Sequence, residues 1–349
     1  MDEAVKPKRR RGLRDLGAKP TLKTVAEATG LAVTTVSRAL KNAPEIAIET
    51  RERVRKAAAG LGYVPDSAAQ RLRTGRTSVI AFVLAPHEEI LGFGSSMITG
   101  LTEALGGSSY HLVVMPQYED VDPVTPVERI LRNRLADGIV FCRTEPLDDR
   151  VKTLLEYDFP FVCHGRTELA TPHPFVDYDN FQFSFLAAKR LIEKGRRNLV
   201  LINAPIQYTF NQYMLHGFMT AVRESGVAFH VAESVTIESP PEEIRHYALN
   251  RVSEGAADGF VCGGEVSAMA VMAAISDSGN VVGDDVDVVA KRTTAIFDQM
   301  RPAIDMIGED LINAGRELGK LILKRLSGAE VADLQKLQKP TPMFRDNSA

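Results

Sequence analysis

Residues 21–40 have the sequence TLKTVAEATGLAVTTVSRAL, which predicts two short helices joined by a turn. Thr21 belongs to the residue types that cap a first helical turn, and Gly30 suits the turn after the first helix. In the second segment, Val36 and Leu40 are spaced to pack inward. Two helices of this length, joined by a turn that contains glycine, form a helix-turn-helix.

The opposite face of the second helix is available for contacts outside the domain. It carries Val33, Thr34, Ser37 and Arg38, which would point toward DNA. We predict a third helix from Thr50 to Leu61, because two helices alone cannot enclose a core. The sequence thus predicts a small all-α headpiece.

Charge is distributed unevenly along the 349 residues. Residues 1–76 contain 17 Lys and Arg against 8 Asp and Glu, a net charge of +9. The remainder contains 25 against 37, a net charge of −12. A basic head on an acidic body indicates that only the head meets a polyanion, although charge alone leaves a solubilising tail open.

Five runs in this head resemble the lactose/galactose repressor (LacI/GalR) family, in the family's order and close to its spacing. They are TLKTVA at 21–26, TVSRAL at 35–40, TRERV at 50–54, LGYVP at 61–65 and AAQRL at 68–72. The resemblance implies a ligand-responsive transcription regulator, most simply a repressor. Three cysteines without paired spacing favour a reducing, cytoplasmic location. It also implies a homodimer on a near-palindromic double-stranded DNA operator.

The resemblance also implies roles for individual residues. Base contacts in the major groove would come from Val33, Thr34 and Arg38, and phosphate contacts from Thr35, Ser37 and Tyr63. Thr21 and Ala69 complete the expected DNA-binding set on the headpiece and hinge. The alternatives are an exposed helix cation for Arg38 and packing against the turn for Val33.

Residues 66–73 resemble the family's hinge helix, in which Leu72 would insert into the minor groove and kink the duplex. An ordinary linker with a buried leucine is the alternative. The sequence departs from the family at Ala32 and Ala47, where Ser or Thr often caps the second and third helices. The basic run at residues 6–11 lies outside the family core and is expected to be a disordered arm.

From Ser78 onward, short apolar runs alternate with helical patterns, which predicts parallel sheets covered by helices on both faces. The strand candidates fall into two groups around residues 194–197, as in two similar lobes. The family resemblance implies a periplasmic-binding-protein-like α/β pair of lobes, with the chain crossing between them three times. We divide the chain into a basic arm (1–19), a helix-turn-helix domain (20–64), a hinge helix and linker (65–77), a two-lobed effector-binding and dimerisation domain (78–340) and a tail (341–349).

Ligands of such folds lie outside the carboxyl ends of the strands, so the residues there are the candidate effector contacts. They are Pro86, His87, Phe93, Arg143, Arg166, Asp179, Asn211, Gln212, Glu265, Lys291 and Arg292. Three departures from the family concern this cleft. Met214 replaces a usual arginine, Gly264-Glu265 replaces Asn-Asp, and Ala290-Lys291-Arg292 replaces Gly-aromatic-Asp.

Positive charge immediately after the last strand of the second lobe decides our prediction for the effector. Lys291 and Arg292 would favour an anionic group, as in a sugar acid or sugar phosphate, because charge-assisted hydrogen bonds are the stronger ones. Arg143 and Arg166 would add positive potential. The alternative is that Glu265 or Asp179 neutralises Lys291 or Arg292, leaving a cleft for a neutral sugar or polyol.

Other functions are less well supported by the sequence. The body alone would permit a solute-binding protein of a transport system, but the headpiece and the lack of an apolar leader argue against it. We expect no enzyme, cofactor or metal, because the seven histidines lack metal spacing and no nucleophile–base motif stands out. Cys142, Cys163 and Cys262 each end a predicted strand and are expected to be buried structural thiols. No stretch reaches the ~18 apolar residues of a membrane span.

The C-terminal segment bears on oligomeric state. After Gly328 only Leu334 and Leu337 offer apolar spacing before Pro340. That is too little for the sustained heptads of a coiled coil, so we predict a dimer built from the body lobes and no tetramer.

Overall fold

The computed structural model describes residues 20–63, 75–85, 90–118 and 120–345. The chain divides into two compact units, Met1–Thr77 and Ser78–Ala349. The predicted basic arm lies outside the described residues, as do most of the predicted hinge (with Ala69 and Leu72) and two effector candidates, Pro86 and His87.

The first unit contains three described helices: α1 (Leu22–Thr29), α2 (Val33–Leu40) and α3 (Ile48–Leu61). Their core consists of small side chains, Val25, Ala26, Val36, Ala39, Val54 and Ala58. Thr21 and Thr24 form a capping box at the start of α1, and Gly30 ends the helix at a φ of 66°. Ala32 and Ala47 stand at the N-caps of α2 and α3 and supply no side-chain hydrogen bond. The predicted headpiece is confirmed.

The second unit has two lobes, each built on one six-stranded sheet. The first-lobe sheet comprises β1 (Val79–Leu84), β2 (His111–Pro116), β3 (Gly138–Cys142), β4 (Phe161–His164), β5 (Phe175–Tyr178) and β11 (Gln335–Gln338), in the order β11-β5-β4-β3-β1-β2. Its strands are all parallel. Its helices are α4 (Phe93–Leu105), α5 (Val124–Asn133), α6 (Asp149–Glu156) and α11 (Leu311–Leu326).

Alternation along β1 explains the two layers of helices in this lobe. Ile80 and Phe82 pack in the cluster that includes α4 and α11, whereas Ala81 and Val83 pack in the cluster with α5 and α6. Successive side chains of a strand point to opposite faces, and every residue from 80 to 83 is buried. A continuous apolar run is therefore required here.

The second lobe repeats this plan. Its strands are β6 (Asn198–Ile202), β7 (Ala228–Val231), β8 (Gly259–Cys262), β9 (Asp287–Arg292), β10 (Asp305–Gly308) and β12 (Thr341–Met343), in the order β12-β10-β9-β8-β6-β7. Only β12 among them runs antiparallel to its neighbour. The covering helices are α7 (Asn180–Glu193), α8 (Thr209–Ser225), α9 (Pro241–Ser253) and α10 (Glu265–Asp277).

The chain passes between the lobes three times, after β5, after β10 and after β11. The first two passages occur at the carboxyl ends of β5 and β10, so residues 179 and 309–310 belong to the junction. The third passage leads into β12, which pairs with β10 in the second lobe. The domain end that we predicted at residue 340 therefore lies between β11 of the first-lobe sheet and β12 at the edge of the second-lobe sheet.

Candidate functional site

The outer face of α2 presents the predicted base-contacting side chains. Val33 is 43% exposed, and Thr34 is also exposed. The Arg38 side chain is 66% exposed and lies 3.6 Å from Glu45. Thr35 and Ser37 are half-buried beside them.

Two other predicted DNA contacts also have structural roles. The Thr21 hydroxyl accepts a hydrogen bond from the backbone N–H of Thr24 at 3.3 Å and so caps α1. Tyr63 follows α3, packs on the headpiece core and donates its N–H to the Ala58 carbonyl at 2.8 Å.

A cavity of about 560 Å³, open solvent at its mouth included, lies between the two lobes of the second unit. We call it the interlobe cavity. Its lining comprises Ile90, Phe93, Arg143, Thr144, His164, Gly165, Arg166, Asp177, Asn180, Thr209, Phe210, Tyr213, Lys291 and Glu309. Most of these residues lie at or just beyond the carboxyl ends of strands, where parallel sheets place their ligand sites.

On the first-lobe side, a carboxylate and a guanidinium face the interlobe cavity as a pair. Arg166 donates from Nε to Asp177 Oδ2 at 2.7 Å, and its backbone oxygen accepts from the Thr144 hydroxyl at 2.7 Å. Burial raises the pKa of the Asp177 carboxyl to about 6 in spite of the opposing effect of Arg166. The cavity therefore contains a carboxylate that is hard to ionise.

Lys291 is buried at the back of the interlobe cavity. Its Nζ lies 3.0 Å from Glu309 Oε2 and donates to Asn180 Oδ1 at 2.7 Å. The ammonium also lies 4.6 Å from the centre of the Tyr178 ring. The other Glu309 oxygen, Oε1, lies 3.8 Å from His164 Nε2. Glu309, at the junction, therefore lies beside one side chain of each lobe, Lys291 of the second and His164 of the first.

Arg143 follows β3 and is directed across the cleft. Its guanidinium lies 3.0 Å from Glu238 Oε1 and donates to the Tyr208 hydroxyl at 3.4 Å. Both partners belong to the second lobe. Among the described residues of the lining, each Lys and Arg side chain therefore has a carboxylate within 3.0 Å.

The structure brings four of the predicted effector residues to the interlobe cavity: Phe93, Arg143, Arg166 and Lys291. Five described candidates are outside its lining: Asp179, Asn211, Gln212, Glu265 and Arg292. Asp179 caps α7 by accepting from the Gln182 N–H, and Asn211 donates to the Ala204 carbonyl inside the second lobe.

Our expectation that Lys291 and Arg292 follow the last strand is wrong, since both belong to β9. Successive strand residues point to opposite faces, so only Lys291 enters the interlobe cavity. Arg292 pairs instead with Asp298 at 2.8 Å. The partners that we considered for neutralisation were also wrong, because Lys291 meets Glu309 rather than Glu265 or Asp179.

Glu265 is fully buried and holds a loop of the second lobe. Its carboxylate accepts hydrogen bonds from the backbone and hydroxyl groups of both Thr293 and Thr294. The side chain is thus fully engaged in positioning the segment after β9.

Several lining residues were not expected from the sequence, chiefly Asp177, Asn180, Tyr213 and Glu309. A signal existed for Asp177, which alternates with apolar Val176 and Tyr178 at the end of β5. No comparable signal marks Glu309, because its place depends on the second passage between the lobes.

The cysteines, the possible metal ligands and the apolar helices suggest no further site among the described residues. Cys142, Cys163 and Cys262 are buried as expected, and burial raises the pKa of Cys142 to about 12. Within the described ranges, no three His, Cys, Asp or Glu residues are grouped as metal ligands. No helix in the described part of the chain has the length and apolarity to span a membrane.

Comparison with known proteins identifies both units. Residues 21–66 match the family described as bacterial regulatory proteins, lacI family, and residues 188–348 match the periplasmic binding protein-like domain. The transcriptional regulator AglR of Rhizobium meliloti is 33% identical over 278 residues, which cover 77% of this chain and 76% of AglR. The transcriptional regulator CelR of Thermobifida fusca is 26% identical, over 94% of this chain and 98% of CelR.

Solved structures agree on the fold. The lac repressor dimer bound to operator and the anti-inducer ONPF has a TM-score of 0.78 at 20% identity, covering 94% of this chain and 98% of that one. The relatives are transcription regulators, so the enzyme and solute-binding alternatives are excluded. The chain belongs to the lacI family of bacterial regulatory proteins and is a DNA-binding transcription regulator.

Proposed function

We propose that this regulator is a cytoplasmic repressor that acts as a homodimer on a near-palindromic operator, with an operator affinity controlled by a neutral sugar or polyol in the interlobe cavity. The observation that carries the choice of effector is the charge balance of that cavity. Arg143 is paired with Glu238, Arg166 with Asp177, and Lys291 with Glu309.

This balance argues against the anionic effector that the sequence favoured. An added carboxylate or phosphate would have to displace an existing carboxylate partner and leave it buried without its cation, which is costly. Arg292, the other expected anion ligand, is held by Asp298 and lies outside the lining. The neutral alternative requires no such displacement.

The mixture of groups suits a polyhydroxylated ligand. Sugar hydroxyls both donate and accept, so Asp177 and Glu309 can accept from them while Arg166 and Lys291 donate. Phe93 and Phe210 add apolar surface to the same lining. Sites that combine an apolar wall with a few fixed polar groups are typical of small-molecule pockets.

Similar proteins support this choice. A solved relative at 23% identity, with a TM-score of 0.67 over 95% of this chain, is a complex of the regulator CelR with cellobiose, a neutral disaccharide.

On the DNA side, the exposed Val33, Thr34 and Arg38 offer methyl groups and a guanidinium to base edges. In a two-fold dimer, two headpieces would bind two half-sites, which doubles the area of contact with DNA.

Titration calorimetry with the full chain tests the effector. We expect a neutral sugar from a panel of mono- and disaccharides to bind, and the corresponding sugar acids and sugar phosphates to bind at least tenfold more weakly. Asp177→Asn should weaken sugar binding, whereas the charge-matched surface change Asp149→Asn should not. Tight binding of a sugar acid or phosphate that is lost in Lys291→Met would reinstate the anionic effector.

A gel shift with the native upstream region tests the regulatory part at moderate, stated salt. We expect a specific complex whose affinity changes when the sugar found by calorimetry is added. Deletion of the gene should raise transcription from the same region. A fall in transcription would instead identify an activator.

A further inference from the structure

Two carboxylates outside the interlobe cavity each hold a lining side chain that belongs to the opposite lobe. Glu238 of the second lobe is paired with Arg143 of the first lobe. Glu168 of the first lobe accepts a hydrogen bond from the Tyr213 hydroxyl of the second lobe at 2.8 Å. The arrangement is reciprocal, and neither glutamate lines the cavity.

The backbone of Arg143 is shaped for this contact. Its φ of 57° lies in the left-handed region, which a non-glycine residue adopts at a cost. Arg150 holds the segment in place by donating to the Arg143 carbonyl at 2.7 Å and to Asp148. Burial would raise the pKa of Asp148, but the hydrogen bonds and charge of Arg150, together with the Glu145 N–H, outweigh it and lower that pKa. A buried ion pair thus aims Arg143 across the cleft.

Tyr213 is held on two sides by the first lobe. Its hydroxyl donates to Glu168, and the guanidinium carbon of Arg166 lies 4.2 Å from the centre of its ring. The Thr209 N–H, one turn earlier in α8, donates to the Thr144 carbonyl at 2.9 Å. The start of α8 is therefore attached to the first lobe by contacts from two loops, the one after β3 and the one after β4.

Both glutamates are themselves fixed by backbone hydrogen bonds. The Glu168 N–H donates to the Pro146 carbonyl at 2.8 Å. Glu238 lies in a turn, where its N–H donates to the Thr236 hydroxyl at 3.2 Å and the neighbouring Ile237 N–H donates to the Asn203 carbonyl at 2.9 Å. Each glutamate is therefore held in place by hydrogen bonds within its own lobe.

We infer that Glu168 and Glu238 are positioning residues that stabilise the closed arrangement of the lobes and thereby set the effector affinity. They act through Tyr213 and Arg143, not by touching the ligand. Since a ligand enclosed by both lobes binds the closed state, a shift of the equilibrium toward an open state lowers its apparent affinity. The affinity part of this inference rests on the proposed function, whereas the effect on the lobes does not.

The lobe arrangement can be measured without any effector. Spin labels are placed on Arg132→Cys in α5 and Glu243→Cys in α9, two exposed helix positions on different lobes. The three native thiols are buried, so labelling is selective. Proteins that carry only one of the two labels show which distances arise between the two subunits of a dimer. We expect the Glu168→Gln/Glu238→Gln double variant to populate a second, longer distance that the parent protein and the Glu224→Gln control lack. Identical distance distributions would overturn the inference.

A double-mutant cycle then tests the coupling to the effector. Glu168→Gln, Tyr213→Phe and their combination are titrated with the neutral sugar. We expect each single change to weaken binding about tenfold and the combination to weaken it no further, with the melting temperature of the sugar-free protein unchanged. Additive losses would overturn the pairing. If no sugar binds the parent protein, the proposed effector is wrong, and the label distances still decide the inference.

Discussion

Arg166 and Asp177 form a 2.7 Å ion pair that faces the interlobe cavity, yet the pKa of the Asp177 carboxyl is raised to about 6. Burial disfavours the charged carboxylate more than one neighbouring guanidinium favours it. The pair is therefore poised to change protonation state at mildly acidic pH.

Sugar affinity should consequently depend on pH. A ligand hydroxyl that donates to Asp177 needs the ionised form, so affinity should fall by up to tenfold per unit as the pH drops below about 6. The effect on stability has the opposite sign: the folded-state pKa exceeds the ordinary value of 3.8, so this group's contribution is largest below pH 3.8 and is lost as the pH rises toward 6. Calorimetry from pH 5 to 8 measures the first effect. Glu309 and His164 also face the cavity, and a profile unchanged in Asp177→Asn would contradict the assignment of the dependence to Asp177.

Arg38→Ala should weaken specific operator binding by about 1–3 kcal/mol and relax one position in each half-site. The reason is that an exposed guanidinium on the outer face of α2 can donate two hydrogen bonds to a guanine. Binding assays against operators with single base changes measure both effects. Arg223→Ala, which removes the same charge from α8, serves as the control. Unchanged specificity at every base pair would contradict the assignment of α2 as the recognition helix.

Ala47→Ser should stabilise α3 by about 1 kcal/mol, and Ala32→Ser should do the same for α2. Both alanines have extended ψ values at N-cap positions and supply no acceptor for the first-turn N–H groups. Hydrogen exchange of the α3 amides in the full chain measures the gain for Ala47. Ala59→Ser, an exposed change late in α3, should give no protection.

Gly217→Ala should destabilise the second lobe by about 1–3 kcal/mol. A Cβ at this position would lie 2.1 Å from the Phe181 backbone oxygen and 2.5 Å from the Ser184 hydroxyl, so α7 and α8 would have to separate. The midpoint of urea unfolding measures the loss. Ser225→Ala, on the exposed end of α8, is the matched control, and equal midpoints for the two variants would show that the helices can move apart freely.

The full chain should sediment as a dimer at micromolar concentration. Leu334 is buried in the first-lobe core and Leu337 lies on β11, so neither is available for a coiled coil. Residues 335–338 and 341–343 form strands instead. A stable tetramer or monomer in sedimentation equilibrium would contradict this prediction.

Local patterns predicted the central elements well. The sequence predicts strands at Val79–Leu84, Gly138–Cys142 and Gly259–Cys262 and a helix at Leu311–Leu326, and these are the bounds of β1, β3, β8 and α11. A buried parallel strand requires an uninterrupted apolar run and a long amphipathic helix a regular repeat. The strands β5, β7, β10, β11 and β12 were not anticipated. The residues of β7, β11 and β12 are largely exposed, so they carry no such run, whereas β5 and β10 are only four residues long and each contains an aspartate.

The candidate site was predicted only in part, for a geometrical reason. The sequence indicated the sheet edge where ligands bind, and four of its candidates line the interlobe cavity. The sequence led us to end this strand at Val289, three residues before β9 ends at Arg292. Because strand side chains alternate, Lys291 and Arg292 point to opposite faces and only one of the two cations enters the cavity.

The sequence by itself determined the family, the helix-turn-helix and the parallel two-lobed body, because each depends on residues that are close together along the chain. Only the tertiary structure decided the charge of the cavity. Lys291 and Glu309 belong to different segments, as do Arg143 and Glu238, and their pairing depends on how the chain passes between the lobes and how the lobes close. The energy of a charge in a low-dielectric cleft depends on its nearest partner in space, and sequence distance does not reveal that partner.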